Sequence, residues 1–507
     1  MIETLLRRFE GWGSAPAMVW QNDGYSYGWL RGEVRRMNRL IGNAGMAGCV
    51  VTLETDYSPH AAAALLALLE QRCIVIPLAP DLVRNKREEY MDLAGAEWRI
   101  VARREKHSDT DGYGADVDDV GDTLSEGLLW SADKLRSVPD EDRCTATLSD
   151  AVPGGLVALS VKRFEADGLP PLLTELRQQQ VGGLVIFSSG STGRSKAAVH
   201  RADRLLQRFQ RQGRPLRTIP FMRFDHIGGF NTLLQSLASG GCLCMIRERS
   251  PGEVCRTIER HRVQALPVSP TFMNLLLLSG AYRDFDLSSL EVVSYGSEVM
   301  SQALLEAWNR AFPHIRTVQA YGMSELGILP TRSKASGSLL FAVRDGEVQY
   351  RVVDGLLEIR TATAMLGYLN APSPFTEDGW LRTGDAAVLE GEYLRILGRD
   401  SEIINVGGRK VYPAEVEGVL EQMEVIEVAV VCGEHSGITG QRVTVTVQTS
   451  REMPLAELRR MIWDYCRERL PDYKIPQKII LAKDGLTSPR MKKVRQPLAV
   501  SPEQIET

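Results

Sequence analysis

Short apolar runs that close on glycine-containing turns recur through the first 330 residues, with helical stripes between them. Residues 48–53 and 73–78 read as strands flanking an Ala- and Leu-rich helix over 60–71, and Tyr25–Ser26–Tyr27 leads into a helix with Leu30, Val34, Met37 and Ile41 on one face. Strand alternating with helix predicts a covered parallel sheet, because parallel neighbours need long crossovers and those crossovers bury both faces. Three further strand-like runs end at Ser188, Ser294 and Ala320, each feeding a turn that contains glycine. In a parallel sheet such turns share one edge, where ligands bind.

At 507 residues the chain exceeds one ordinary core, and usual domain sizes predict about three units. Short β segments fill 356–399. The texture changes after Asp400: Pro413–Ala414–Glu415–Val416–Glu417 opens a helix, 428–431 and 442–447 read as strands, and Leu455, Leu458, Met461, Ile462 and Tyr465 form a helical stripe. About 107 residues of α+β therefore follow as a separate small domain. Residues 103–148 read as a surface insertion or loop that carries no chemistry.

Hydrophobic residues make up 44% and charged residues 24%, the balance of a folded soluble protein, and a net charge of −4 leaves no electrostatic footprint for nucleic acid. The eight cysteines contain no C-x-x-C pair and read as reduced, mostly buried thiols; Cys242 and Cys244 sit on a strand without nearby histidines, which argues against a metal there. No apolar run approaches the ~20 residues that span a bilayer, and the N-terminus lacks a signal-peptide core. A cytoplasmic protein without a membrane span is expected.

The functional reading turns on Leu184–Val185–Ile186–Phe187–Ser188–Ser189–Gly190–Ser191–Thr192–Gly193–Arg194–Ser195–Lys196. Glycines let a backbone approach an anion, consecutive N–H groups make a concavity for it, hydroxyls add donors and Lys196 adds a point charge. This is not a Walker A loop, whose last glycine and Ser or Thr would fall on Ser195 and Ala197. Composition alone also fits an ordinary exposed turn, so the decision rests on the other motifs. Among them, His226–Ile227–Gly228–Gly229, in the aromatic segment 219–231, has the make-up of a backbone-lined pocket wall.

Together these motifs resemble the adenylate-forming superfamily of acyl-CoA synthetases, aryl-CoA ligases and stand-alone adenylation enzymes, from about residue 10 to 500. Phe187 to Lys196 is similar to its phosphate loop, Tyr321–Gly322–Met323–Ser324–Glu325 to its Y-G-x-T-E motif, and Trp380–Leu381–Arg382–Thr383–Gly384–Asp385 to W-x-x-T-G-D. Gly398–Arg399 resembles the hinge, and 406–417 the start of the domain beyond it. The resemblance implies an α/β fold with a large N-terminal domain, 1–399, built of covered parallel-rich sheets and a β-rich subdomain. A small mobile α+β lid, 400–507, would carry the catalytic lysine.

It also implies a two-step ligase: a carboxylate attacks the α-phosphate of ATP, and the acyl-adenylate then passes its acyl group to a thiol. Ser188, Ser189, Gly190, Ser191, Thr192, Gly193 and Lys196 would hold the β- and γ-phosphates, Glu325 would help hold Mg²⁺, and the Ser324 hydroxyl would contact the α-phosphate. Asp385 would accept from the ribose hydroxyls with Arg399 assisting, and Tyr321, followed by Gly322 and Met323, would stack on adenine beside Gly296–Ser297–Glu298. His226, Phe230, Asn231, Tyr295 and Met323 would form the acyl pocket. Asp400 and Ser401 would form the hinge, where Ser401 replaces the usual Asp or Lys, and Gly407 and Gly408 would flank the thiol tunnel. Arg409 and Lys410 would meet the acceptor's phosphates, unless they are simply a solvated basic turn. Laid on the family's terminal pattern, Lys492 takes the role of the lysine bridging carboxylate and α-phosphate, with Met491 in place of a glycine. A one-residue shift would nominate Lys493, but Arg495 and Leu498 fall in place only with Lys492.

Phe224–Asp225 superficially offers the aspartate with which amino-acid-activating relatives pair an ammonium. His226 to Gly229 fits the H-x-x-G of acyl- and aryl-CoA ligases better, so a small fatty or aryl acid is expected, with CoA or a separate acyl carrier protein as acceptor. A non-catalytic nucleotide- or acyl-binding homologue is the alternative that Met491 and Ser401 motivate. A luciferase-like oxygenase has only shared ancestry behind it.

Overall fold

The computed structural model describes residues 2–104, 146–148, 157–163, 168–188, 195–344, 346–482, 485–488 and 491–494. Among these, strands Val50–Glu54, Ile74–Leu78 and Gly183–Ser188 form the parallel heart of one large sheet, with Val50 opposite Ile74 and Ile74 opposite Gly183. A second sheet sets Cys242–Cys244, Arg217–Thr218, Ala265–Val268, Val292–Tyr295 and Arg316–Gln319 side by side, all parallel. Helices Tyr27–Asn43, Pro59–Glu70 and Ile227–Ala238 share one apolar cluster with residues of both sheets, such as Leu53 and Ile186 of the first and Met18 and Leu243 of the second. Helix Pro59–Glu70 shows why it sits between layers. The Ser58 hydroxyl caps it by accepting from Ala61 N at 3.1 Å, Pro59 starts it, and its Ala and Leu residues are apolar all round, so burial on every side is the stable solution.

The expected shared edge is corrected in one respect. Strands Val292–Tyr295 and Arg316–Gln319 are parallel neighbours, but Gly183–Ser188 belongs to the other sheet and turns back antiparallel onto Lys196–Arg201, Ser188 lying opposite Lys196. A parallel return needs a crossover of a dozen or more residues, and 189–195 are too few for one. The flanks of the presumed insertion are also not loop: Trp98–Arg104, Val157–Arg163 and Ala146–Leu148 extend the first sheet. Residues 105–145, with Cys144, lie outside the described residues, and the remaining seven cysteines are free.

Residues 331–399 hold an antiparallel sheet, and 404–481 a further sheet with its own apolar cluster, against which helices Pro413–Leu420 and Leu455–Arg467 pack. No helix among the described residues is long and apolar enough to cross a membrane.

His200, on strand Lys196–Arg201, is fully buried, and its Nε2–H donates to the Ser324 carbonyl at 2.6 Å. Burial pushes its pKa down to about 4 from the usual 6.5. Above pH 6.5 the ring is neutral in both states; between 6.5 and about 4 the unfolded chain takes up a proton that the folded one refuses. Stability should therefore fall by about 3 kcal/mol across that window as pH drops. Melting temperatures measured at pH 7.5 and 5.0 are expected to show the decline, and His200→Gln is expected to flatten it.

Candidate active site

His226 starts helix Ile227–Ala238 by accepting from Gly228 N on its Nδ1 at 3.0 Å. Gly229 is required at the turn, since a Cβ there would lie 2.0 Å from the Arg223 carbonyl oxygen. A cavity of about 250 Å³ opens between this helix and the ends of the parallel strands, floored by Val268, Ser294, Gly296 and Ser297 and reaching Ala320 and Gly322. Helical periodicity puts Gly228, Thr232 and Gln235 on one face, and all three line the cavity with His226 and Asn231.

Phe230, Tyr295 and Met323 do not line it. Phe230 points from the opposite face of the helix into the core. Tyr295 alternates with Ser294 across its strand, so it packs behind the sheet with its hydroxyl 3.3 Å from Gln319 Oε1. Met323 packs against the cluster of the antiparallel sheet. Asp225 also stays off the cavity, buried with its Oδ1 3.9 Å from Arg223 Nε. Working the 3.6-residue period forward from Gly228 would have found Thr232 and Gln235.

The two terminal lysines have different surroundings. Lys492 Nζ lies 3.3 Å from His226 Nε2, at the cavity mouth. Lys493 Nζ instead pairs with Glu417 Oε2 at 3.0 Å and Glu421 Oε1 at 2.6 Å, both on or just after helix Pro413–Leu420. The same stretch touches the large sheets' side of the molecule: Ser269 Oγ donates to the Met491 carbonyl at 2.6 Å and Lys493 N donates to Glu298 Oε1 at 2.9 Å. Glu298 thus joins the terminal loop, its other oxygen accepting from Thr271 N at 3.3 Å. Met491 takes the left-handed conformation, φ 51°, that a glycine adopts without strain. Arg495 and Leu498 lie outside the described residues.

Across the cavity, Tyr321 and Asp385 meet at 2.6 Å, the hydroxyl donating, and Arg399 Nε reaches the other Asp385 oxygen at 2.9 Å. Burial pushes the Asp385 carboxyl up, against the opposing pull of Arg399 and of the Tyr321 hydrogen bond. Burial, then the Asp385 charge, holds the Tyr321 phenol far above its usual range. Glu325 accepts from the Tyr368 hydroxyl at 2.5 Å, and the Lys196 ammonium sits 5.4 Å from the Tyr368 ring centre. Ser188 Oγ donates to the Lys196 carbonyl at 3.4 Å. Ser189, Gly190, Ser191, Thr192 and Gly193 lie outside the described residues, but the base of their loop is clamped: Asn370 accepts from Ala197 N and donates to the Ser195 carbonyl. Tyr368 and Asn370 went unnoticed in the sequence because they come from a segment far along the chain with no motif of its own. Asp400 and Ser401 form a short 3₁₀ turn, and Gly407 and Gly408 the exposed turn of a hairpin away from the cavity, with Arg409 stacked over Tyr473 at 4.3 Å.

A cavity at parallel strand ends, a lysine brought to its His226 wall from the terminal segment, and a Tyr–Asp–Arg cluster beside it are the layout of an adenylate-forming enzyme. The chain belongs to that class: residues 5–369 match the family described as AMP-binding enzyme. It is 30% identical to a 3-[(3aS,4S,7aS)-7a-methyl-1,5-dioxo-octahydro-1H-inden-4-yl]propanoyl:CoA ligase of Mycobacterium tuberculosis over 83% of this chain and 82% of the relative. It is 25% identical to an indoleacetate–CoA ligase of Aromatoleum aromaticum, covering 93% and 92%. The fold is also that of the anthranilate CoA ligase AuaEII solved with anthranoyl-AMP, with TM-score 0.73, 17% identity and coverage of 97% and 95%.

Proposed function

We propose that this enzyme activates a carboxylic acid as its acyl-adenylate, releasing pyrophosphate from ATP, and then transfers the acyl group to the thiol of CoA. The observation that carries the reading is the approach of Lys492 to His226. Because His226 Nδ1 accepts from Gly228 N, the neutral ring carries its proton on Nε2. That N–H and the Lys492 ammonium are then two donors converging on one point at the cavity mouth. An anionic oxygen can accept from both at once, bridging the pair from the cavity side, and in the reaction that oxygen belongs to the substrate carboxylate attacking the α-phosphate. Charge concentrated there stabilises the meeting of two anions. The relatives' names as CoA ligases favour CoA over a carrier protein as acceptor.

The nucleotide would lie along the turns beyond the cavity. Asp385 and Arg399 suit the ribose hydroxyls, Tyr321 the adenine face, and Ser188, Lys196 and the loop 189–194 the phosphates, with Ser324 toward the α-phosphate. Glu325 offers a single buried carboxylate in a setting without a cluster of three ligating side chains among the described residues. That suits Mg²⁺, a hard cation that takes most of its ligands from phosphate and water, and whose charge would offset that of the phosphates. We assign the hinge to Asp400–Ser401, between a unit ending near 399 and the lid that follows. For thiol transfer the lid would turn about it to present Gly407 and Gly408.

ATP–pyrophosphate exchange with purified protein across fatty, aryl and amino acids tests the reading. Exchange with fatty or aryl acids supports it; silence with every acid while ATP binds refutes it. Asp385→Ala is expected to raise the ATP KM about 10–100-fold, since charged hydrogen bonds of this kind contribute about 1.5–3 kcal/mol each. The KM for the acid should change far less.

A further inference from the structure

The wall of the cavity supplied by helix Ile227–Ala238 is unusually polar for a hydrocarbon pocket: Asn231, Thr232, Gln235 and Ser236 all line it, and Ser239 caps its far end. Most of these groups are already paired. Thr232 Oγ1 donates to the Gly228 carbonyl at 2.8 Å, Gln235 Nε2 donates to Ser239 Oγ at 3.0 Å, and Ser239 Oγ also accepts from Gly213 N at 3.1 Å. Ser236 is the exception. It is 7% exposed, and its hydroxyl has no hydrogen-bond partner among the described residues. The Ser236 hydroxyl does not turn back to the carbonyl four residues earlier, the usual partner of a helical serine, and a buried hydroxyl left unpaired beside a cavity costs free energy that a ligand oxygen would return. Asn231, half-buried on the same wall, makes no side-chain hydrogen bond among the described residues either.

Resting on the acid-activating reading above, we propose that the substrate is an acid carrying an uncharged oxygen, a ketone or a hydroxyl, remote from its carboxylate, and that Ser236 recognises that oxygen. Ser236 lies eight residues beyond Gly228, roughly 12 Å along the helix axis from the reacting end. The opposite wall is apolar, with Leu216, Ala265, Pro267 and Ile328, which suits the hydrocarbon body between the two ends. A second carboxylate is disfavoured because Arg214, the cation on the cavity rim, is already held by Glu291 through two contacts of 2.5 and 3.0 Å.

The test compares kcat/KM for two matched pairs, decanoate against 9-oxodecanoate and 3-phenylpropanoate against 3-(4-acetylphenyl)propanoate, in the native enzyme and in Ser236→Ala. Calorimetric binding of the same acids runs beside it. The oxo member is expected to exceed its parent at least tenfold in at least one pair, and the variant to shrink that ratio to below about threefold, mainly through KM. Because the ratio is the readout, a general loss of activity on substitution does not imitate the result. Parents used as well as their oxo partners overturn this inference while leaving adenylation standing. An oxo preference unchanged in Ser236→Ala overturns the role of Ser236. Failure of all four acids to bind or exchange, with exchange seen for unsubstituted acids of other shapes, overturns the substrate class; no exchange with any acid overturns the activity itself.

Discussion

Lys492→Ala is expected to lower acid-dependent ATP–pyrophosphate exchange by at least about 10²–10³-fold, the scale on which one preorganised charge at a transition state acts. Its melting temperature should stay close to that of the native enzyme, because the amine faces the cavity mouth and His226 rather than the packed interior. Its neighbour should behave in the opposite way. Lys493 sits between Glu417, which is buried, and Glu421, whose side chain is 10% exposed, and its loss would leave the two carboxylates facing each other with little water. Breaking such a cluster costs about 3–5 kcal/mol, part of which protonation of Glu421, whose carboxyl burial already pushes up, would relieve. Thermal unfolding of the two variants side by side, with exchange kinetics on each, separates the chemical lysine from the structural one. Equal loss of exchange with equal loss of stability would merge the two roles and refute the assignment.

Gly418→Ala should impair adenylation about 10²-fold without unfolding the C-terminal sheet. A Cβ at this position would lie 2.4 Å from Ser301 Cβ, at the cap of helix Gln302–Ala311, so helix Pro413–Leu420 would have to back away. Along the same border Asn274 Nδ2 donates to the Glu427 carbonyl at 3.0 Å, and the Ser269 and Glu298 contacts aim the Lys492 loop. A displacement of about 1 Å in a catalytic group is enough for a loss of that size. Alanine is itself the better helix former by about 1 kcal/mol, so helix Pro413–Leu420 on its own should gain stability. Exchange activity falls on this account, while thiol transfer from pre-formed acyl-adenylate is spared. Loss of both half-reactions together would mean that the contact serves the fold rather than docking.

Much of this layout was legible in the residues. The buried strand into Ser188, the Tyr321 and Asp385 motifs and the change of texture near Asp400 all carry local signals, namely apolar periodicity, turn residues and order along the chain. What was not legible depends on facing rather than on order. Phe230 and Tyr295 were expected in the pocket from the resemblance alone, but about half a turn of helix from Gly228 and one step of strand from Ser294 put them behind it. Tyr368 and Asn370, which hold Glu325 and the base of the loop after Ser188, come from a distant stretch of chain whose strand Gly367–Tyr368 pairs with Lys196–Arg201. The choice between Lys492 and Lys493 rested on a register. In the structure the two differ through Glu417 and Glu421, some seventy residues earlier in the chain. Gly418 gave no sign of its role, since a helix glycine is informative only when the residue above it is known.

The most direct test of acid activation uses a carboxylate labelled with ¹⁸O in both oxygens, an accepted acid from the panel, ATP and CoA. If the carboxylate attacks the α-phosphate and the thiol later attacks the acyl carbon, one labelled oxygen remains on phosphorus, and the AMP released carries one ¹⁸O. Mass spectrometry of the nucleotide should find that label in AMP and none in pyrophosphate. Unlabelled AMP, or ADP with the label in inorganic phosphate, would place the acid's attack elsewhere and contradict an acyl-adenylate.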